Sequence, residues 1–166
     1  EFLYKDVDTD LYFLAWTTTP WTLPANCALA VGDKITYSIV RTFNVYTGQP
    51  ITVILASDLV SKYFSEKGNE KTFEEFQTGD KFAPFKILGE VKGNQLTGIN
   101  YEQLMPYVKP EGKSMTVIIG DFVTTEDGTG IVHTASVFGA DDFRVANANG
   151  IVSILVTDED GNKVPL

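Results

Sequence analysis

Residues 14–26 read LAWTTTPWTLPAN. Apolar residues lead into three consecutive hydroxyls, Thr17, Thr18 and Thr19, and Pro20 then stops any strand by removing a backbone donor and fixing φ. Threonine is a good strand residue, so the stretch is either an ordinary Thr-rich strand or the floor of a small polar pocket. Along a strand alternate side chains face opposite ways, which puts Thr17 and Thr19 on one face and Thr18 on the other unless Pro20 distorts the end.

A second stretch, GTGIVHTASVFGADD at residues 128–142, carries the one histidine of the chain, His133, and the adjacent carboxylates Asp141 and Asp142. Taken together, the two stretches resemble the editing domain inserted into class I isoleucyl-tRNA synthetases. The valyl and leucyl relatives have a similar Thr-rich strand but continue into an Arg-Pro pair, whereas this chain has Pro20-Trp21 and, in the second motif, Phe138-Gly139. The run LTGINYEQLMPY at residues 96–107 matches more weakly, so the likeness extends over most of the chain.

Between the motifs the sequence is rich in short strands. Residues 2–7 and 11–17 read as a hairpin around a polar Asp8-Thr9-Asp10 turn, and further strands are expected at 27–31, 37–41, 51–56, 82–91, 114–120, 130–134 and 153–157. Ser57 is placed to cap a helix running to about residue 67, since Leu59, Val60, Tyr63 and Phe64 share a face and Gly68 follows. A second helix is expected over 140–149, ended by Gly150. Many strands, two helices and no repeated βαβ spacing predict a mixed α/β class, a β-barrel-like fold with peripheral helices. The editing domain that the motifs resemble has such a fold.

The chain has 166 residues, 43% hydrophobic and 21% charged, which suits one domain over residues 1–166. No apolar run approaches the roughly 20 residues that span a bilayer, so no membrane partner is expected. Cys27, the lone cysteine, lies in an apolar run and reads as a buried structural thiol. One His and one Cys cannot supply the four ligands of a zinc site, and neither a metal nor a cofactor is expected. A net charge of −9 argues against a domain that grips nucleic acid by its phosphates alone.

The resemblance implies a fragment of a larger, ATP-dependent synthetase, a cytoplasmic monomer, because the two-histidine and KMSKS-type motifs of the synthetic site are absent. It implies hydrolysis of valyl-tRNA of isoleucine type, with the 3′ end of the misacylated tRNA and the rest of the synthetase as partners. The alternative is a docking module that keeps the fold without hydrolysis. Editing is needed because one methylene is worth only roughly 1–3 kcal/mol in an apolar pocket, a magnitude for which the isoleucyl enzyme is itself the worked case.

Ester hydrolysis by a positioned water needs recognition of the α-ammonium and donors for the oxyanion, and no nucleophilic side chain. By resemblance, Asp142 takes the ammonium through a charge-assisted hydrogen bond, and Thr17 and Thr19 serve the reacting ester. Thr18, Trp21, Thr22, Asn26 and His133 line the aminoacyl pocket. Asn26 is equally readable as a turn former and Trp21 as core filler. Asp141 is then expected to cap the second helix. His133 has no Asp or Ser partner at a triad spacing, and the resemblance makes it a shaper of the amino-acid pocket; the competing role is general base. Ser136 stands where the family usually has Pro, which predicts a less rigid loop, and no G-x-S-x-G elbow surrounds it.

Overall fold

The structure is a computed structural model and describes residues 7–166. In chain order its strands and helices are β1 (Leu11–Phe13), β2 (Ala28–Val31), β3 (Thr36–Phe43), β4 (Pro50–Ala56), α1 (Val60–Tyr63), β5 (Lys86–Lys92), α2 (Gly93–Leu96), β6 (Thr116–Ile119), β7 (Ile131–Thr134), α3 (Ala140–Ala148), β8 (Leu155–Thr157) and β9 (Lys163–Pro165). Short 3-10 turns cover Pro20–Ala25, Ser57–Leu59 and Glu66–Glu70. The described residues form two compact units, one of 7–14 with Thr36–Lys92 and the other of Ala15–Ile35 with Gly93–Leu166.

In the first unit the sheet order is β1-β4-β3-β5. The β3–β4 hairpin closes at Asn44, whose side-chain oxygen accepts the N–H groups of Tyr46 and Thr47, and Gly48 supplies the positive φ of 71° that the turn requires. Strand β1 runs parallel to β4, Leu11 opposite Thr52. Val40, Val53, Leu55 and Val60 form one buried cluster of this unit, in which Tyr37 and Ile54 are also fully buried.

The second unit holds both sequence motifs. Its sheet is β6-β2-β7, with β2 parallel to β6 and antiparallel to β7. All four residues of β2 are buried, which is why this run is continuously apolar and does not alternate. Leu29 lies opposite His133 in the β2–β7 register. Val145 and Ala146 of α3 join Cys27, Ala28, Ala30, Ile118 and Ile154 in the core, and β8 and β9 make a separate two-stranded ribbon.

The strands form open sheets among the described residues, in a mixed α/β arrangement with few helices. No described helix is long and apolar enough to cross a membrane. Several boundaries differ from the sequence-based expectation. The strand expected over 11–17 ends at Phe13, leaving only an isolated bridge from Trp16 to Val132. Most of the expected partner arm at 2–7 lies outside the described residues. Ser57 does not cap a helix: its hydroxyl bonds that of Ser38 at 2.8 Å. The helical segment ends at Tyr63 because Phe64 turns extended (φ −118°, ψ 118°). β9 was not expected from the sequence.

Candidate functional site

The Thr run forms a turn. Thr17 Oγ1 accepts the N–H of Thr19 at 3.0 Å, a local side-chain bond that competes with the strand ladder. This turn replaces the alternating-face arrangement. It still brings the hydroxyls of Thr17 and Thr19 to within 3.4 Å, and that of Thr19 lies 3.3 Å from Thr22 Oγ1. Pro20 then opens the 3-10 turn, with Thr19 as the residue before it. Thr18 is exposed, and no hydrogen bond from the described residues engages its hydroxyl. Trp21 is 74% exposed, so it does not fill the core.

From Thr22 a buried chain of hydrogen bonds runs inward. Thr22 Oγ1 donates to the carbonyl of Thr19 at 2.8 Å and lies 3.0 Å from His133 Nε2. On the other side of the ring, His133 Nδ1 is 2.8 Å from Asn26 Nδ2, which also donates to the carbonyl of Ala28 at 3.0 Å. Asn26 Oδ1 accepts a hydrogen bond of 2.5 Å from the phenol of Tyr101. Burial holds that phenol well above the usual tyrosine range, with the field of Cys27 adding to the effect. Tyr101 therefore remains a donor. Burial depresses the basicity of His133, opposed by the negative field of Asp142. Thr22, Asn26 and His133 are thus brought together, with both ends of the Asn26 amide engaged.

Asp142 is half-buried, and its Oδ2 accepts the backbone N–H of Ala135 at 2.9 Å, one residue beyond β7. No donor among the described residues reaches its Oδ1. The helix boundaries explain the placement: Gly139 is the N-cap, so Asp142 occupies the third helical position and can fold back across the first turn. A Cβ built on Gly139 would lie 3.2 Å from the Asp142 carboxyl carbon.

The expectation that Asp141 caps this helix is overturned. Asp141 is exposed and pairs with Arg144 at 3.3 Å, and Arg144 also holds Asp121 at 2.7 Å. The carboxylate that ties the helix start to the strand is Asp142 itself, because a side chain in the second position points away from the strand end that the third position reaches.

Ser136 is buried and bonds Ser153 at 2.8 Å, while the thiol of Cys27 reaches its oxygen at 3.5 Å. The loop around Ser136 is therefore tied by polar contacts. Burial raises the Cys27 thiol above its ordinary value, leaving it protonated and inert. An open depression of about 540 Å³ lies beside the start of α3, passing Phe138, Gly139 and Phe143. The site member that sequence reasoning missed is Tyr101. It lies in the weakly matching run at 96–107, beside the start of β6, and only its hydrogen bond to Asn26 gives it meaning.

No family model matches the chain. It is 61% identical over 155 residues to the isoleucine–tRNA ligase of Cytophaga hutchinsonii, 54% to that of Bacteroides fragilis and 41% over 162 residues to that of Treponema denticola. These matches take in 93%, 93% and 90% of this chain but only 14%, 14% and 13% of the ligases, so the chain spans about one-seventh of the length of these relatives. Its fold is shared by solved structures, two of which are leucyl-tRNA synthetase segments. GlLeuRS-CP1 superposes with a TM-score of 0.60 at 18% identity, covering 89% of this chain and 52% of that one. The editing domain of the P. knowlesi cytosolic leucyl-tRNA synthetase gives 0.59 at 17%, covering 83% and 51%.

Proposed function

The chain is a relative of one segment of the isoleucine–tRNA ligases and has the fold of a CP1 editing domain, and from that premise we propose that it hydrolyses misacylated tRNA. Its substrate is the ester joining valine to a tRNA of isoleucine type, presented to it within a larger ligase. The observation that carries this reading is Asp142. One oxygen is anchored on Ala135 N–H and the other is open, beside a ring whose nitrogens are both engaged.

The free amino group separates an aminoacyl ester from an ordinary one. A fixed carboxylate with an open oxygen selects it through a charge-assisted hydrogen bond. Water attacks the ester carbonyl, its oxygen forming the new bond to carbon as the bond to the ribose oxygen breaks; the proton released by water ends on that ribose oxygen. Thr17 and Thr19 each retain an acceptor lone pair beyond the bonds within their turn, so their hydroxyls can orient the water and the terminal ribose. The aromatic depression by Phe138 and Phe143 suits a stacked nucleoside base. A net charge of −9 leaves most of the tRNA affinity to the rest of the ligase.

The test is to incubate the chain, and a ligase containing it, with valyl- and isoleucyl-tRNA of isoleucine type and follow deacylation. Selective loss of the valyl ester is expected. Absence of deacylation by both, together with tight binding of uncharged tRNA at physiological salt, would replace this reading with that of a docking module.

A further inference from the structure

The hydrogen bonds around His133 leave no freedom in where its protons lie. Both ends of the chain are backbone carbonyls, which only accept. At one end, the carbonyl of Ala28 must face the amide nitrogen of Asn26, so Oδ1 of that amide faces Tyr101 and takes its hydrogen. The second hydrogen of Asn26 Nδ2 then points at His133 Nδ1, which must be an unprotonated acceptor. At the other end, the Thr22 hydroxyl gives its hydrogen to the carbonyl of Thr19. Its oxygen can only accept from His133, so Nε2 carries the proton.

We propose that Tyr101, acting through Asn26, is a positioning residue that holds His133 in the Nε2–H tautomer with both nitrogens engaged, so that the imidazole meets a substrate with carbon only. A ring held this way is an apolar wall and has no lone pair left for a proton. It limits the length of the bound side chain, and it cannot activate the attacking water. The part of this inference that concerns the aminoacyl side chain rests on the editing reading above; the part that concerns the tautomer does not.

The chain has one histidine, so nitrogen-15 labelling of histidine gives one pair of ring resonances and needs no assignment. In the unsubstituted protein at pH 7.5, the nitrogen coupled to both ring C–H protons, Nε2, is expected in the protonated range and Nδ1 in the unprotonated range. An Nδ1–H ring, an imidazolium or an even mixture would overturn the proposal without any variant. In Asn26→Asp the carboxylate can only accept, so the protonation of Nδ1 is the expected result; a ring still protonated at Nε2 alone counts against the relay. In Tyr101→Phe the amide loses its third bond, and the two nitrogen shifts are expected to move toward each other.

Removing one buried hydrogen bond should also lower kcat/KM for the valyl ester by about tenfold, with a smaller loss on the isoleucyl ester, so that the ratio of the two falls. A merely structural role would lower both equally and leave the tautomer pure, and that pattern would overturn Tyr101 as a positioning residue. If the tautomer results hold and the unsubstituted protein deacylates neither ester, the editing reading fails and the relay stands.

Discussion

His133 and Asp142 stand on consecutive elements of the second motif, β7 and α3, and are treated in opposite ways by the fold. The imidazole is buried, and each of its nitrogens has a partner. The carboxylate is half-buried, and only one of its oxygens has a partner. Polar groups whose bonds are all made define shape; a polar group fixed at one atom and open at the other defines chemistry. On the reading proposed above, the motif supplies a wall and a ligand, and the substitutions that separate those roles are different ones.

The largest effect is expected from Asp142. Asp142→Ala should reduce deacylation of valyl-tRNA about a hundredfold, the loss of a hydrogen bond to a charged group. Because Ala135 N–H also loses its acceptor, the same variant should cost about 2 kcal/mol and lower Tm by about 5 °C for a domain of this size. Asp142→Asn retains an oxygen for Ala135 and discards the charge. It should keep Tm within about 2 °C of the unsubstituted protein and still lose most activity; an active Asn variant would show that the ammonium contact is misassigned.

Next in size is His133→Ala, which opens space without touching the carboxylate. Cognate isoleucyl-tRNA should then be hydrolysed about tenfold faster or more, the range one methylene commands in an apolar pocket. Loss of activity on both esters would instead make the ring a base and end the wall assignment.

Acid probes the same contrast through stability. Burial lowers the pKa of His133 in the folded state, so between that value and the unfolded value of about 6.5 the unfolded chain binds more protons. Stability contributed by the neutral ring is full above about pH 6.5 and declines as pH falls below it. Urea titrations of the unsubstituted protein and of His133→Gln from pH 7.5 to 5 should therefore diverge, the parent losing more. The smallest effect belongs to Asp141→Ala. An exposed carboxylate on an exposed arginine contributes little, and deacylation should stay within about twofold. A large loss there would return Asp141 to the site.

The candidate site residues were legible as a group because they lie in two short motifs, and Thr17, Thr19, Asp142 and His133 could be named from them as candidates. What each residue does depended on phase and partners that a sequence does not carry. Whether Asp141 or Asp142 faces the strand is decided by the helix starting at Ala140; a start one residue earlier would put Asp141 in the third position instead. Trp-Thr-Thr-Thr is compatible with a strand, yet Thr17 bonds the backbone two residues on and ends it early. Asn26 resembles a turn former, and only Tyr101, 75 positions away, reveals its amide as a buried link. The mixed class was readable from the number of short apolar runs, whereas the division of the strands among separate sheets depends on pairings remote in sequence, such as β2 with β6.

Gly139 imposes a limit on how this protein can be improved. Its φ of −139° is open to any residue, so the backbone does not demand glycine; a side chain there would instead crowd the carboxylate folded against it, whose carboxyl carbon lies 3.2 Å from where a Cβ would sit. Helix starts are routinely reinforced by installing Ser, Thr, Asp or Asn at the N-cap, a change worth roughly 1 kcal/mol. Here the added side chain would press on Asp142 and shift the oxygen that we assign to the substrate. A search for thermostable variants would keep meeting position 139 as an attractive gain, and each such gain would be taken from the hydrolysis proposed above.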